Sequence, residues 1–351
     1  MEKKISFFLA VLTLGFAHQI FAQDDNASAD ESERWSDFLP LSKELAGDAD
    51  LPLPFGIGIT GYWQEQDLKA KSIGLPNINI QSVIDVATAD ARTTWAAALA
   101  GNPAAATILT GLGTILATLP STFDATATAG KVESEVDNYS VRLDAWVLPF
   151  LNIYGVAGKV DGENKVSDIE VTVPAAYQSL VGTLLPSSFT LPYEGSVYGI
   201  GTVLAAGKGR YWGTIDYNFT RANLDISTSE IDTHTVTPRV GVKGNVGDIK
   251  GSLWVGSMFQ RTDERQLGSL EFPVGDQTLD VSALGALPAG TLTSTVTSGS
   301  IPASYDVLLE QEKEWNFLVG GSAQLSEQIN ISVEGGFGNR EQVMGNLTFR
   351  F

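Results

Sequence analysis

The chain has 351 residues, no cysteine and a formal net charge of −19 at pH 7. That length suits one large domain or two small ones, the missing thiols exclude disulfides and a lipid-modified cysteine, and the acidity excludes nucleic acid as a partner because phosphate would be repelled. Past the first twenty or so residues no segment reaches the ~18 consecutive apolar residues of a spanning helix, so a membrane crossing by this chain requires a closed β-barrel.

The start reads as a secretory signal peptide over residues 1–22. Lys3 and Lys4 precede the apolar run ISFFLAVLTLGF, and Ala22 is a small residue at the cut. Residues 23–54 form an acidic, solvated N-terminal segment that ends in LPLP. Export would leave this segment in the periplasm, with RWSDFLPLSKEL as a docking element.

From Phe55 the pattern changes to period two. Phe55, Ile57, Ile59 and Trp63 share one face, and Thr60, Tyr62 and Gln64 the other. The same alternation recurs in NYSVRLDAWVL, YWGTIDYNFT, VTPRVGVKG, IKGSLWVGSMF and three segments after Trp315. Two Gly-rich segments, 152–160 and 196–207, are apolar on both faces, and their facing is open. Ten strands are expected in residues 55–351. Tight turns at 149–151, 207–209, 245–248 and 326–328 alternate with five loops, three long (one, roughly 66–136; two, 161–195; four, 261–313) and two shorter (three, near 225–233; five, near 339–341).

The first long loop predicts a helical hairpin over about 83–118. Ser82 and Asp85 mark a start, Gly101 a stop, Asn102–Pro103 a second start and Pro120 an end. It reads equally as a plug or as an outer cap, with an interface to another chain as a third reading. Loops two and four are apolar and β-prone, so they are expected to pack on one another or to extend the barrel walls outward. The acids of loop four (Asp263, Glu264, Glu271, Asp276, Asp280) match no Ca²⁺ loop and read as a solvated surface. No cofactor or metal site is expected.

The polar faces carry Arg142, Asp144, Asp216, Arg239, Lys243, Lys250 and Glu334, with Arg350 near the end. Charges at such inward positions need partners, and a narrow lumen supplies them across its width. Aromatic residues gather toward strand ends, as at membrane interfaces.

The last strand, VMGNLTFRF, alternates and stops on Phe351. It resembles the closing strand of Gram-negative outer-membrane β-barrel proteins. The resemblance implies an all-β, ten-stranded antiparallel transmembrane barrel with long extracellular loops, located in the outer membrane. It implies Phe351 as part of the signal read by the barrel-assembly machinery, and outer-membrane lipids and lipopolysaccharide as partners.

Asp232 and His234 resemble the first half of the site of the omptin proteases. The second carboxylate pair of that family has no match on the outer side here, so no enzyme is expected. The leading expectation is a narrow or gated channel for small solutes, lined by the seven charged residues, whose mixed signs imply weak ion selectivity. Ten strands lie near the closed end of barrel sizes. The alternative is therefore a surface-binding barrel acting on an extracellular ligand through its loops.

Overall fold

The computed structural model describes residues 39–42, 44, 52–181, 184–225, 230–247, 249–274, 276–296 and 299–351. The expected signal peptide and nearly all of the acidic segment lie outside these residues.

The described chain is dominated by one antiparallel sheet that closes on itself. Its long strands are β1 (Phe55–Asn79), β2 (Thr122–Leu148), β3 (Leu151–Thr172), β4 (Ser188–Lys208), β5 (Tyr211–Leu224), β6 (Glu230–Val246) and β7 (Ile249–Val274). A small hairpin, β8 (Gln277–Asp280) and β9 (Thr293–Val296), precedes β10 (Gly299–Gln311), β11 (Trp315–Gln324), β12 (Ile329–Phe337) and β13 (Arg340–Arg350). The sheet runs β10-β1-β13-β12-β11-β7-β6-β5-β4-β3-β2, and pairing of β1 with β2 closes it into a ring of about ten strands. Closure removes the free edges of the lower ring; above the ends of β5 and β6, β4 (188–194) pairs only with β3 and β7 (265–274) only with β10 among the described residues.

The seam sits at both ends of the barrel sequence. β1 pairs with β2 from Phe55↔Ala145 to Asn79↔Thr122, and with β13 from Gly56↔Arg350 to Gln66↔Arg340. The Phe55 N–H donates to the Phe351 carbonyl and the Phe351 N–H to the Phe55 carbonyl, each at 3.1 Å. Their rings stack at 5.9 Å.

The β12–β13 turn stops halfway up. Above it β10 fills the gap, pairing with β1 (Leu68↔Gln311) on one side and β7 (Leu309↔Glu264) on the other. The buried Asn316 side chain clamps that turn. Its Oδ1 accepts from the backbone N–H groups of Asn339 and Arg340, and its Nδ2 donates to the Arg340 carbonyl.

The strands run well past the expected bounds. β1, β2 and β7 have 25, 27 and 26 residues, whereas ~9–11 tilted residues cross a bilayer. Much of the expected loops 66–136, 161–195 and 261–313 is therefore strand. The reason is a reversal of face polarity. On lower β7, Leu253 and Val255 point out while Trp254 and Met258 are buried; higher up, Arg261, Asp263 and Arg265 are exposed while Phe272 and Val274 are buried. An alternation that changes sign midway resembles no single amphipathic strand.

Bulges add to the effect. Register shifts between Ala70 and Ser72 and between Leu75 and Ile78 move the inward set from even to odd positions and back. Asn77 sits in one of them at φ 55°, a conformation that Asn tolerates better than most residues.

Three helices follow β1: α1 (Gln81–Arg92), α2 (Thr94–Ala98) and α3 (Ala105–Thr118). The first begins two residues before the expected start, where Asn79 Oδ1 accepts from the Gln81 N–H at 3.0 Å. Gly101 turns the chain at φ +89°, and Asn102 Oδ1 takes the Ala104 N–H. The buried faces of these helices (Val83, Ile84, Ala87, Trp95, Leu112, Leu116) join wall residues Ile73, Val132, Val166, Phe272, Ile301 and Leu309 in one apolar core.

Candidate functional site

The barrel interior has two levels. In the lower one, between the tight turns and the β12–β13 turn, the inward face is polar. Five of the seven charged residues singled out in sequence lie in one network here. Arg239 holds Glu334 by two hydrogen bonds, 2.6 and 2.8 Å, and lies 3.9 Å from Asp216. Trp254 Nε1 donates to Glu334, which is 1% exposed. Tyr154 donates to Asp216 at 2.6 Å, and the Arg142 guanidinium lies 3.6 Å from the Tyr154 ring centre. Arg142 also donates to Asn152, which donates to Asp144. Arg350 completes the set with a 2.9 Å bond to Asp144.

This network ties together strands that are not neighbours. Arg239 on β6 reaches Glu334 on β12, and Arg350 on β13 reaches Asp144 on β2. Arg350 and Asp144 meet over Gly56 of the single strand between them, and Arg239 and Glu334 reach across two intervening strands. Lys243 and Lys250 stand apart, exposed beside the tight turns.

Of the aromatic members, Trp254 falls on the polar face with Lys250 and Ser252 by alternation, whereas Tyr154 lies in a segment whose facing the sequence leaves open. Trp254 sits where Gly320 on β11 leaves room; a Cβ there would come within 2.5 Å of the indole. Tyr154 uses Gly201 on β4 in the same way. In sequence the glycines of 196–207, Gly201 among them, leave facing open while also offering room for a large neighbour. The usable signal was their pairing with a large residue on the next strand.

Above the ions lies a layer of buried amides, Gln64, Gln342, Asn316, Gln266 and Asn164. Glu264 belongs to it. Of the loop-four acids expected on a solvated surface, Asp263, Glu271, Asp276 and Asp280 are exposed, whereas Glu264 is 6% exposed and points into the barrel. Its Oε1 accepts from Asn164 at 2.7 Å and from Gln266 at 2.9 Å, both neutral donors. Burial pushes its carboxyl up to about 7. Asp280 is exposed and held by its own loop. The Ser282 hydroxyl and the backbone N–H groups of Ser282 and Gly290 hold it below the usual carboxylate range.

The upper level is closed by the apolar core. Loops two and four meet where the Phe189 and Phe272 rings lie 6.5 Å apart, and both pack on the helical segment and its flanks. Trp95 donates to the Thr293 carbonyl at 2.8 Å, Tyr177 donates to the Pro120 carbonyl, and Phe123 stacks on Tyr177 at 4.1 Å. Residues 93–123, 171–193 and 281–305, which build this cap, contain no charged side chain.

Asp232 and His234 lie on the outer wall, not in a cleft. Arg221 grips Asp232 with two 2.7 Å bonds, and His234 Nδ1 is 3.1 Å from the Tyr217 hydroxyl. Among the described residues no group of three His, Asp or Glu side chains is placed to hold a metal ion.

No protein-family model and no curated protein matches this chain. Among solved structures, the transport unit of the autotransporter AIDA-I from Escherichia coli is 10% identical, with 97% of this chain and 96% of that one covered at a TM-score of 0.33. The translocator domain of the autotransporter NalP from Neisseria meningitidis is 9% identical, covering 88% and 92% at 0.26. A loop L8 deletion mutant of OmpT, an outer membrane protein of Vibrio cholerae, is 10% identical, covering 85% and 98% at 0.25. TM-scores this low carry no weight, and the reading below rests on the chain's own geometry.

Proposed function

We propose that this chain is a ten-stranded outer-membrane β-barrel, sealed at its outer end, that acts at the cell surface through a structured, uncharged cap. The membrane assignment is supported by polarity turned inside out. Ile59, Leu143, Ile200, Val240, Leu253 and Phe317 are each more than half exposed on the outer wall, while Asp144, Asn152 and Glu334 are buried within. In water such a wall would be a large apolar patch; against lipid it is a satisfied surface.

The sealed, surface-binding reading is supported above all by the apolar plug. Ile80, Ala87, Trp95 and Leu112 on the helical segment are 0–1% exposed. Burying one large apolar side chain is worth roughly 1.5–3 kcal/mol. Opening a path past several of them would take on the order of 10 kcal/mol, which is a core and not a gate. The strands lift this cap well clear of the apolar band, where loops carry recognition.

The test is electrical and then adhesive. Full-length protein, folded in planar bilayers, is expected to stay silent. Cells expressing it are expected to bind surfaces through the cap, and Thr110→Lys/Thr114→Lys, which charges the exposed face of α3, is expected to abolish that binding. Discrete conductance steps would overturn the sealed reading and favour the gated small-solute channel, for which the charged lumen speaks.

A further inference from the structure

We propose that His234, Arg261 and Lys313 form a binding site on the outer wall for the phosphate group of an outer-leaflet lipid. The site rests on the membrane reading above and adds a specific partner to it.

The register builds the row. His234 on β6 pairs directly with Arg261 on β7. Trp315 pairs with Phe259, and the Gln260 N–H donates to the Glu314 carbonyl, which carries Lys313 alongside Arg261. All three bases are exposed. Their level is the point at which the outer wall changes from apolar to charged. Just below stand Tyr217, Val236 and Phe259, and the Phe259 and Trp315 rings lie 5.3 Å apart. A lipid whose chains lie against this aromatic and aliphatic wall would carry its headgroup at the height of the three bases.

The row is also available. Among the described residues neither Arg261 nor Lys313 takes part in an ion pair. Other outward bases nearby are held, Arg221 by Asp232 and Glu230 and Arg265 by Asp306. His234 uses Nδ1 toward Tyr217, which leaves Nε2 for a ligand. Carboxylates are close but offset: Asp263 lies two residues above Arg261, and Glu312 and Glu314 flank Lys313. The opposite wall at this height is acidic, with Asp137, Asp161 and Glu194 cross-strand neighbours. An anionic headgroup therefore has one favourable side of the barrel. Two clustered cations with a third nitrogen suit the charge and acceptor oxygens of a phosphate.

The experiment is native mass spectrometry of the detergent-purified full chain with bisphosphorylated lipid A and with the same lipid stripped of phosphate. Wild type is expected to retain the phosphorylated form selectively. Arg261→Gln/Lys313→Gln is expected to bind it about thirtyfold more weakly, the worth of two basic side chains at an anionic lipid surface. Lys69→Gln/Lys71→Gln, which removes two bases higher on the wall, is expected to bind as wild type. Equal retention of the two lipids by wild type, or equal binding by all three proteins, would overturn the site. Flotation with vesicles separates the two levels. A chain that inserts but shows no phosphate preference loses only the site, whereas a chain that does not insert loses the membrane reading and the site with it.

Discussion

Glu264→Gln is expected to make the protein more stable at neutral and alkaline pH. Glu264 faces the amide layer inside the barrel, while its neighbours Asp263 and Arg265 are exposed outside, beyond the apolar band. Its ionised form has only two neutral amide donors, and desolvation raises its pKa from 4.5 to about 7. A raised carboxyl pKa means that the folded state keeps a proton which the unfolded state has already released. Stability is therefore lost as pH rises from 4.5 to 7 and stays lost above that. At 1.36 kcal/mol per pKa unit, the penalty levels off near ~3 kcal/mol. Glutamine keeps the shape and both hydrogen-bonding atoms without the charge. Urea unfolding in lipid vesicles, followed by tryptophan fluorescence at intervals from pH 4 to 9, should show variant and wild type together at pH 4 and separating up to pH 7. Because only the difference is read, other titrating groups cancel. A constant difference across that range, or a variant weaker at pH 9, would refute the assignment.

Arg239→Met leaves Glu334 buried without its cation and is expected to destabilise by roughly 3–5 kcal/mol in the same assay. Adding Glu334→Gln to it should restore more than half. Asn316→Ala removes three hydrogen bonds at the β12–β13 turn. A loss of roughly 2–4 kcal/mol is expected, with faster hydrogen exchange at the Asn339 and Arg340 amides than elsewhere in the sheet. Gly320→Ala puts a Cβ 2.5 Å from the Trp254 ring. It should destabilise by roughly 1–3 kcal/mol and alter the near-ultraviolet circular dichroism of the indole.

The lower barrel was readable in sequence because its alternation is pure. Ile57, Ile59, Leu253 and Val255 point one way and Arg142, Asp144 and Arg239 the other, so faces and most of the ion network followed from spacing. The upper barrel was not readable, for a physical reason. At DLKAKS in β1 and KVESEVD in β2 the charged residues face outward and the apolar ones inward. That is the pattern of a water-exposed strand, reversed from the one just below, and the bulge at Asn77 and the left-handed backbone at Asp168 break its phase. Charge density there suggested loops. β10 was hidden for the same reason, within GSIPASYDVLLEQ. Tyr154 was missed because the glycine that receives it lies on another strand, a relation visible only once register is known; Trp254 was legible, since it alternates with Leu253 and Val255 and shares the face of Lys250 and Ser252. Glu264 was read as solvated because nothing in a single strand says which side closes over it.

The central claim is that one strand passes from lipid to water while its outward side chains change from apolar to charged. The chain has no cysteine, so single-cysteine variants at outward positions 253, 255, 259, 261, 263 and 265 of β7 can be spin-labelled without background. Collision with oxygen and with a water-soluble nickel chelate, measured in vesicles, reports the surroundings of each label. Oxygen should dominate through 259 and nickel from 261 upward, with the change between Phe259 and Arg261. Nickel access at all six positions would contradict the account and return this wall to water.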